Sequence, residues 1–287
     1  MRLRYIDWGG DSLSATRRSV PLVLLHGLAS SARIWDLTAP HLVEHGFRVL
    51  ALDQRGHGLS DRPDADDAYS FENVTGDLLA FSEALGLDRP VLVGHSWGGN
   101  VALQFAADYP GRARGLVLVD GGFLEVSSVE GMTWERAEQV MRPPDIDGVK
   151  LEHLLERARN WPDIRDLWDD QLQDMLLSNF EVSPEGRVYR RLPISQHMKI
   201  VRAMWEQRPS QLWGRVACPV LMVPAVAREE EPERQAWTQA KLKAIEEAQA
   251  RLADSRVVVM EDAIHDVPVQ QPALLAGIIA DFAEGLA

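Results

Sequence analysis

Pro90-Val91-Leu92-Val93-Gly94-His95-Ser96-Trp97-Gly98-Gly99 is the stretch that decides the fold. The strand-like run Val91–Val93 enters it, and the helical stretch Val101–Ala107 leaves it. Between them Gly94-His95-Ser96-Trp97-Gly98 fits G-x-S-x-G, a pattern that sets a serine on a sharp strand-to-helix turn. Such a turn strains the backbone of its central residue, and bulky neighbours two positions away would collide. Glycine at 94 and 98 removes those side chains. Ser96 Oγ is then expected at the carboxyl edge of a sheet, close to the positive end of the following helix. The five-residue pattern alone also describes an inert Gly-Ser turn, so the strand and helix around it supply its meaning.

Working outward, strand and helix signals alternate. Val20–Leu25 is a short apolar run ending at His26-Gly27, which predicts a strand buried on both faces. A helix is expected over Ala32–Glu44 with Gly46 as its stop, then a strand over Phe47–Leu52, then a helix over Phe71–Leu85 stopping at Gly86. After the elbow comes the strand Leu116–Val119. The pattern then breaks: 123–213 holds no convincing strand run and predicts helices broken by Pro143-Pro144, Pro162, Pro184 and Pro193. Strand signal returns at Cys218–Val223. A charged helix (Glu233–Ala253), a strand (Arg256–Met260) and a final helix from Pro272 to Phe282 follow. The expected class is α/β, a mostly parallel doubly wound sheet with a helical cap inserted between two core strands. The core would be 1–122 with 214–287, and the cap 123–213.

Composition narrows the function. Of 287 residues 46% are hydrophobic and 25% charged, an ordinary globular mixture that excludes a disordered or fibrous chain. A formal charge of −13 makes nucleic acid and anionic membrane surfaces poor partners. One cysteine, Cys218, rules out an internal disulfide and a Cys-based zinc cluster. The apolar run at Val20–Leu25 is too short for a signal-peptide core, and no stretch approaches the roughly 18 apolar residues of a membrane span, so a cytoplasmic location is expected.

A serine hydroxyl needs a base to take its proton during attack. Of the eight histidines, His265 follows the last predicted strand in Asp262-Ala263-Ile264-His265-Asp266. Loops at strand carboxyl ends of a doubly wound sheet converge on one edge, which puts His265 on the side of Ser96. His153 and His197 could line a pocket from above. Five of nine tryptophans (134, 161, 168, 205, 213) and five of eight methionines (132, 141, 175, 198, 204) fall within 123–213. A small cap needs large side chains to pack, and part of that surface can face Ser96; Met204 and Trp205 are the candidate substrate-binding residues. His41-Leu42-Val43-Glu44-His45 fits an inverted zinc-peptidase pattern but lacks a third ligand, and Asp64-Ala65-Asp66-Asp67 lacks the glycine turn of a calcium loop. No metal and no organic cofactor is expected. The acidic helix 229–254 reads as a solvated face, and Cys218 as a small core residue.

His26-Gly27, Asp53-Gln54-Arg55-Gly56-His57-Gly58-Leu59-Ser60, Gly94–Gly99 and Ile264-His265 together resemble the α/β-hydrolase superfamily, in its cap-bearing, serine esterase/lactonase-like branch. The resemblance spans Leu22 to the end of the chain, with the inserted segment matched by position only. It implies that the backbone N–H groups of Leu28 and Trp97 form an oxyanion hole, and that Arg55 and His57 brace the site without catalysing. It also implies a carboxylate partner for His265 after one of two strands. After Val220–Val223 the usual Gly-x-x-Asp is missing, with Ala227 and Arg228 at the expected positions. Asp120, in Val119-Asp120-Gly121-Gly122, stands at the alternative position; Glu229 or Glu230 remain open. A carboxylate set in a glycine turn is better fixed than one in a run of glutamates, which favours Asp120. Gly121 and Gly122 are expected to turn beneath the histidine.

The expected function is a serine hydrolase cleaving a small, largely apolar carboxylic ester or lactone through an acyl-enzyme, with Ser96, His265 and Asp120 catalytic. Serine at 96 argues against dehalogenase or epoxide-hydrolase chemistry, for which the family uses a carboxylate nucleophile. A C–C bond hydrolase of the same fold, or a ligand-binding receptor with low turnover, are the alternatives. The partner is a small apolar molecule; oligomeric state is not legible.

Overall fold

Runs of four or five consecutive apolar residues can be buried on both faces only inside a sheet covered by helices on either side. In the computed structural model, which describes residues 1–9, 20–227 and 232–286, that is where they lie. The chain opens with β1 (Tyr5–Trp8) and β2 (Leu22–Leu25). A 3₁₀ turn (Ala32–Trp35) and α1 (Ala39–Glu44) lead to β3 (Val49–Leu52), α2 (Phe71–Ala84), β4 (Val91–His95), α3 (Trp97–Asp108) and β5 (Gly115–Val119). Next come α4 (Trp134–Met141), α5 (Leu151–Arg159), α6 (Asp170–Leu177), β6 (Phe180–Val182), β7 (Val188–Arg190), α7 (Ile194–Glu206) and α8 (Pro209–Leu212). The chain then returns through β8 (Val220–Val223), β9 (Ala225–Val226), α9 (Pro232–Gln249), β10 (Ser255–Val257), β11 (Met260–Glu261), α10 (Val267–Gln270) and α11 (Pro272–Glu284).

Seven strands form one sheet in the order β1-β3-β2-β4-β5-β8-β10, all parallel except the antiparallel edge strand β1. Alternate strand residues feed opposite layers. Val23, Leu25, Leu92, Leu116 and Met222 pack with α2, α3 and α9, whereas Leu24, Val93, Val117 and Leu221 pack with α1 and α11. From β2 the chain goes outward to β3 and then crosses back to β4 on the other side. The loops after β2 and β4 therefore diverge and leave a crevice at their carboxyl ends, the place where open α/β sheets take ligands. His26-Gly27-Leu28 follows β2, and Ser96 follows β4.

Three expectations need correction. The segment between β5 and β8 is not all helical: β6 and β7 pair antiparallel across a turn with Gly186 at φ 70°. The alternation Phe180-Glu181-Val182 and Val188-Tyr189-Arg190 carried that signal, but at three residues per strand it is shorter than a periodicity test resolves. The helix expected over Ala32–Glu44 is divided into a 3₁₀ turn and α1, with Pro40 at the start of α1. β1 was not expected; its partial burial at the sheet edge leaves the apolar pattern weak.

Glycines set how closely the elements approach. A Cβ on Gly94 would lie 2.2 Å from the carbonyl oxygen of Gly98, and one on Gly121 would lie 2.1 Å from the carbonyl oxygen of Ser96. Gly121→Ala should cost about 3 kcal/mol, since backbone and not a flexible side chain must give way. Gly76→Ala, in the interior of α2 with nothing near its Cβ, should gain about 0.5–1 kcal/mol from lost backbone freedom in the unfolded chain. Thermal melts of the two variants against the wild type check both signs.

Candidate active site

Ser96 joins β4 to α3 with φ 53° and ψ −122°, a conformation that L-residues rarely adopt. Its backbone is pinned on both sides: Ser96 N–H donates to the Val119 carbonyl (2.9 Å), and the Ser96 carbonyl accepts from Gly99 N–H (2.9 Å). Gly121 and Gly122 press against this elbow, Gly121 on Ser96 and Gly122 on Gly99, so the turn they allow lies under the serine and not under the histidine as expected. Among the described non-glycine residues five have positive φ: Ala29, Arg89, Ser96, Asp120 and Asp262. All but Arg89 lie in loops at the crevice, where strain is held by the surrounding structure.

Gly27 sits where a Cβ would be 3.1 Å from Ser96 Cβ, which brings the loop after β2 directly beside the serine. Leu28 lines a cavity with Ser96, and Trp97 N–H is the first N–H of α3. Polar side chains beneath hold this loop. Gln54 N–H donates to His26 Nε2 (3.1 Å), so His26 donates through Nδ1 to the Gly27 carbonyl (2.7 Å). Ala29 N–H donates to His57 Nε2 (3.2 Å), and His57 Nδ1 donates to the Arg55 carbonyl (2.9 Å). Asp53 accepts from Ala32 N–H (2.7 Å) and Leu59 N–H (3.0 Å), and Arg55 forks onto Asp77 at 2.6 and 2.7 Å.

His265 is placed by its loop. β9 and β11 pair in parallel, Ala263 N–H donates to the Val226 carbonyl (3.2 Å), and Gln270 Oε1 accepts from Ile264 N–H (2.8 Å). His95 Nε2 donates to the carbonyl of His265 itself (2.9 Å). The imidazole then turns Nδ1 to Asp120 Oδ2 at 2.6 Å, which leaves Nε2 as its other nitrogen. Asp120 is buried, and its Oδ1 accepts from Ala225 N–H (3.0 Å) and from Lys241 Nζ (2.7 Å).

These contacts explain the protonation states. Burial by itself would raise the Asp120 carboxyl, but the hydrogen bond and charge of His265 and the ammonium of Lys241 outweigh it and hold the group well below the usual carboxylate range. Desolvation of the His265 ring, whose side chain is still half exposed, would by itself lower it; hydrogen bonding to Asp120 and its charge outweigh that and raise it above the ordinary 6.5. Burial brings His26 and His95 each down to about 4, in His95 against the opposing charge of Asp266 at 3.9 Å; His57 is likewise pushed well below 6.5.

Ser96 and His265 line two cavities that meet between them. One, of about 450 Å³, is bounded by Leu124, Val126, Met141, Met204, Trp237 and Ile264, with Asp120 and Lys241 at its floor. The other, of about 300 Å³, is bounded by Leu28, Ile34, Ile164, Leu172, Met175 and Leu176. Asp163, from the segment between β5 and β8, borders both. Met204 thus lines the larger cavity, whereas Trp205 packs on Trp134 at 6.0 Å and does not line either; that expectation is corrected. Residues 204 and 205 are adjacent on α7, so their side chains diverge by about 100° and only one can face inward. His153 is exposed and His197 is buried against the Met141 carbonyl, and neither lines a cavity with Ser96. Glu229 and Glu230 lie outside the described residues. On α1, His41 pairs with Glu44 at 3.1 Å, and the described residues hold no group of three or more metal-ligating side chains. Among them no helix is long and apolar enough to cross a membrane.

Lys241 and Trp237 are the residues that sequence reasoning missed. Both lie on α9, which reads as a solvated face from its charges. Trp237, Lys241, Ile245, Ala248 and Leu252 recur at helical spacing, and Ile245, Ala248 and Leu252 are buried in the core; that stripe was the available signal.

The family profile described as "alpha/beta hydrolase fold" matches residues 20–145. The bifunctional epoxide hydrolase 2 of Sus scrofa is 32% identical over 166 residues, covering 55% of this chain and 28% of that protein. A non-heme chloroperoxidase of Streptomyces lividans is 40% identical over 116 residues, covering 40% of this chain and 39% of that protein. The chain therefore spans well under half the length of these two relatives. Among solved structures, a carboxylesterase of Nitrososphaera gargenis superposes with a TM-score of 0.71 at 21% identity, covering 99% of this chain and 94% of that one. The enol-lactonase of Burkholderia xenovorans superposes with a TM-score of 0.68 at 19% identity, covering 98% and 96%.

The histidine environments predict opposite pH responses. His26, His57 and His95 are neutral in the fold but titrate near 6.5 once unfolded, so their contribution to stability is full above that pH; that of His26 and His95 is lost as pH falls toward about 4, and that of His57 as pH falls well below 6.5. His265, raised in the fold, contributes below 6.5 and loses that contribution as pH rises through its own higher value. The Asp120 contribution is lost only below the 3.8 of a free aspartate, as pH falls toward its lowered folded value. Melting temperature should therefore fall between about pH 6.5 and 4. In side-chain NMR only His265 of these four should titrate above 6.5.

Proposed function

The chain has the α/β-hydrolase fold, and from that premise we propose that it is a serine hydrolase cleaving a small, largely apolar carboxylic ester or lactone through an acyl-enzyme. The observation that carries this reading is the geometry at His265: Asp120 holds Nδ1 at 2.6 Å, and the ring shares both cavities with Ser96. A carboxylate on Nδ1 fixes the tautomer that leaves Nε2 able to take a proton, and it stabilises the imidazolium that results.

In this mechanism Ser96 Oγ attacks the ester carbonyl carbon and its proton passes to His265 Nε2. The carbonyl oxygen becomes an oxyanion that accepts from Leu28 N–H and Trp97 N–H, donors already fixed by the His26, His57 and α3 contacts. Collapse of the tetrahedral intermediate breaks the carbon–oxygen bond, and the leaving oxygen takes the proton from Nε2. Water then attacks the acyl-enzyme, gives its proton to Nε2, and the second collapse returns that proton to Ser96. No step calls on a metal or an organic cofactor. The serine distinguishes this chain from the carboxylate-nucleophile chemistry expected of epoxide-opening members of the fold.

The two cavities define the substrate class. Apolar surface makes up the greater part of the wall of both, with polar side chains gathered around Ser96 and His265, and they meet at the reacting atoms. A linear ester would lay one apolar arm in each, and a lactone would occupy the larger with its ring. In this reading 123–213 is a cap that closes the crevice above the core of 1–122 and 214–287, and supplies Met141, Met204, Leu172 and Met175 to the walls.

A fluorophosphonate should label the wild type stoichiometrically and Ser96→Ala not at all, and Ser96→Ala should abolish turnover of nitrophenyl esters. Asp120→Asn should lower kcat by about 10⁴-fold, because the amide presents the wrong tautomer to His265. Turnover that survives Ser96→Ala on every ester tested would refute the proposal. Met204→Trp should lower kcat/KM for long-chain esters about tenfold more than for acetates, read from a chain-length series.

A further inference from the structure

Lys241 is not needed to complete a serine–histidine–aspartate arrangement, yet it is only 15% exposed and is aimed into the site. Its Nζ donates to Asp120 Oδ1 (2.7 Å) and to the Ala225 carbonyl (2.8 Å). The same Oδ1 already accepts from Ala225 N–H (3.0 Å), and Oδ2 already accepts from His265 (2.6 Å). The carboxylate would thus be hydrogen-bonded at both oxygens without the lysine. What Lys241 adds is a buried positive charge, which nature seldom places without an electrostatic consequence.

We propose that Lys241 is a positioning residue that tunes this site: by holding Oδ1 against α9 it offsets part of the negative charge that Asp120 presents to His265, and so keeps the imidazole able to shed its proton at lower pH. The kinetic part of this inference rests on the hydrolase reading; the titration part does not. Trp237, Thr238 and Lys241 share the α9 face that lines the larger cavity, so the charge sits beside the space where substrate would bind.

The charges around His265 make the direction of the effect definite. Asp120 faces it from the end of β5, and Asp266 lies next to it on its own loop. His95 faces it from β4 with ring centroids 4.9 Å apart, and Asp163 borders both cavities from the inserted segment. Lys241 is the cation acting on the ring from α9. The Asp120 carboxylate lies between the two, Oδ1 at 2.7 Å from the ammonium and Oδ2 at 2.6 Å from the imidazole, so the two cations are held one carboxylate apart. At that range, with partial solvent screening, the charge is worth roughly one pH unit of imidazole titration.

The test is side-chain NMR titration of His265 in a Ser96→Ala background, which reads the imidazole whether or not the protein turns anything over. Lys241→Met should move the midpoint up by about one unit, and Lys241→Arg should restore it. Lys241→Gln keeps a donor for the Ala225 carbonyl without the charge and should give the same rise, so it reads the charge if the methionine variant melts below the assay temperature. With Ser96 present, kcat/KM of Lys241→Gln should fall about tenfold near pH 6, and the loss should shrink as pH rises. A midpoint unmoved in folded Lys241→Gln, or a loss equal at every pH, would overturn the inference. A shifted midpoint in a protein that hydrolyses no ester would sustain it and defeat the hydrolase reading instead.

Discussion

The bend at Ser96 is the constraint on which the rest of the site depends. A serine with φ 53° between a buried strand and a buried helix is held there by close backbone contacts, not by its own preference. The carbonyl of Gly98 lies where a Gly94 side chain would be, the carbonyl of Leu25 where a Gly98 side chain would be, and Ser96 itself where a Gly121 side chain would be. Three strands, β2, β4 and β5, are thereby locked at one point of the sheet edge. The loops leaving those strands carry Leu28, Ser96 and Asp120. Their mutual positions follow from strand register and glycine packing before any side-chain interaction is considered.

Burying charge at this edge has to be compensated, and the compensation explains the surrounding residues. Asp120 is ionised and nearly inaccessible, so each of its oxygens is met by donors: His265 on one, Ala225 N–H and Lys241 on the other. The short parallel pair β9–β11 has a role that its length would not suggest. It orients Ala225 N–H toward the carboxylate and delivers residues 262–265 beside it. Beneath the loop after β2 the opposite solution holds. His26, His57 and His95 are kept neutral by burial and act as fixed donors and acceptors for backbone groups. One edge of the sheet therefore contains four histidines of one chemical type in two electrostatic states, and of the four it is His265 that has a carboxylate hydrogen-bonded to its ring.

Much of this was legible in the sequence because it is local. The apolar runs at Val20–Leu25, Val91–Val93, Leu116–Val119 and Cys218–Val223 predict strands covered on both faces, and glycine at 46 and 86 marks helix ends that the structure shows at positive φ. The elbow is visible because its steric demands fall within five residues. Asp120 beside His265 is favoured by the family resemblance, which puts the acid after one of two strands, and by its glycine turn, with Glu229 and Glu230 left open. What was hidden depends on contacts distant in sequence. Lys241 reaches Asp120 across 121 positions, and its helix is so rich in Glu and Lys that the buried stripe from Trp237 to Leu252 is diluted. The hairpin β6–β7 is too short to show a period, and of the two adjacent candidates Met204 and Trp205 only Met204 faces the larger cavity, a choice that depends on how α7 is rotated.

The position of the acid follows from the same geometry. The strand β8 ends at Val223 and passes through Pro224 into β9, with no carboxylate at 224–227, yet the site is not short of one, because β5 and β8 are neighbours and their ends lie side by side. Asp120 N–H donates to the Val223 carbonyl (2.9 Å), so the residue that carries the carboxylate is tied to the strand that lacks it. A histidine arriving from β11 meets the pair as a unit: the side chain comes from one strand, and the backbone N–H that holds its second oxygen comes from the other. What must be kept is a fixed negative charge against Nδ1 of the imidazole. The groups that keep it ionised need not come from the strand that bears it. In this chain those groups are Ala225 and, from the helix that follows, Lys241.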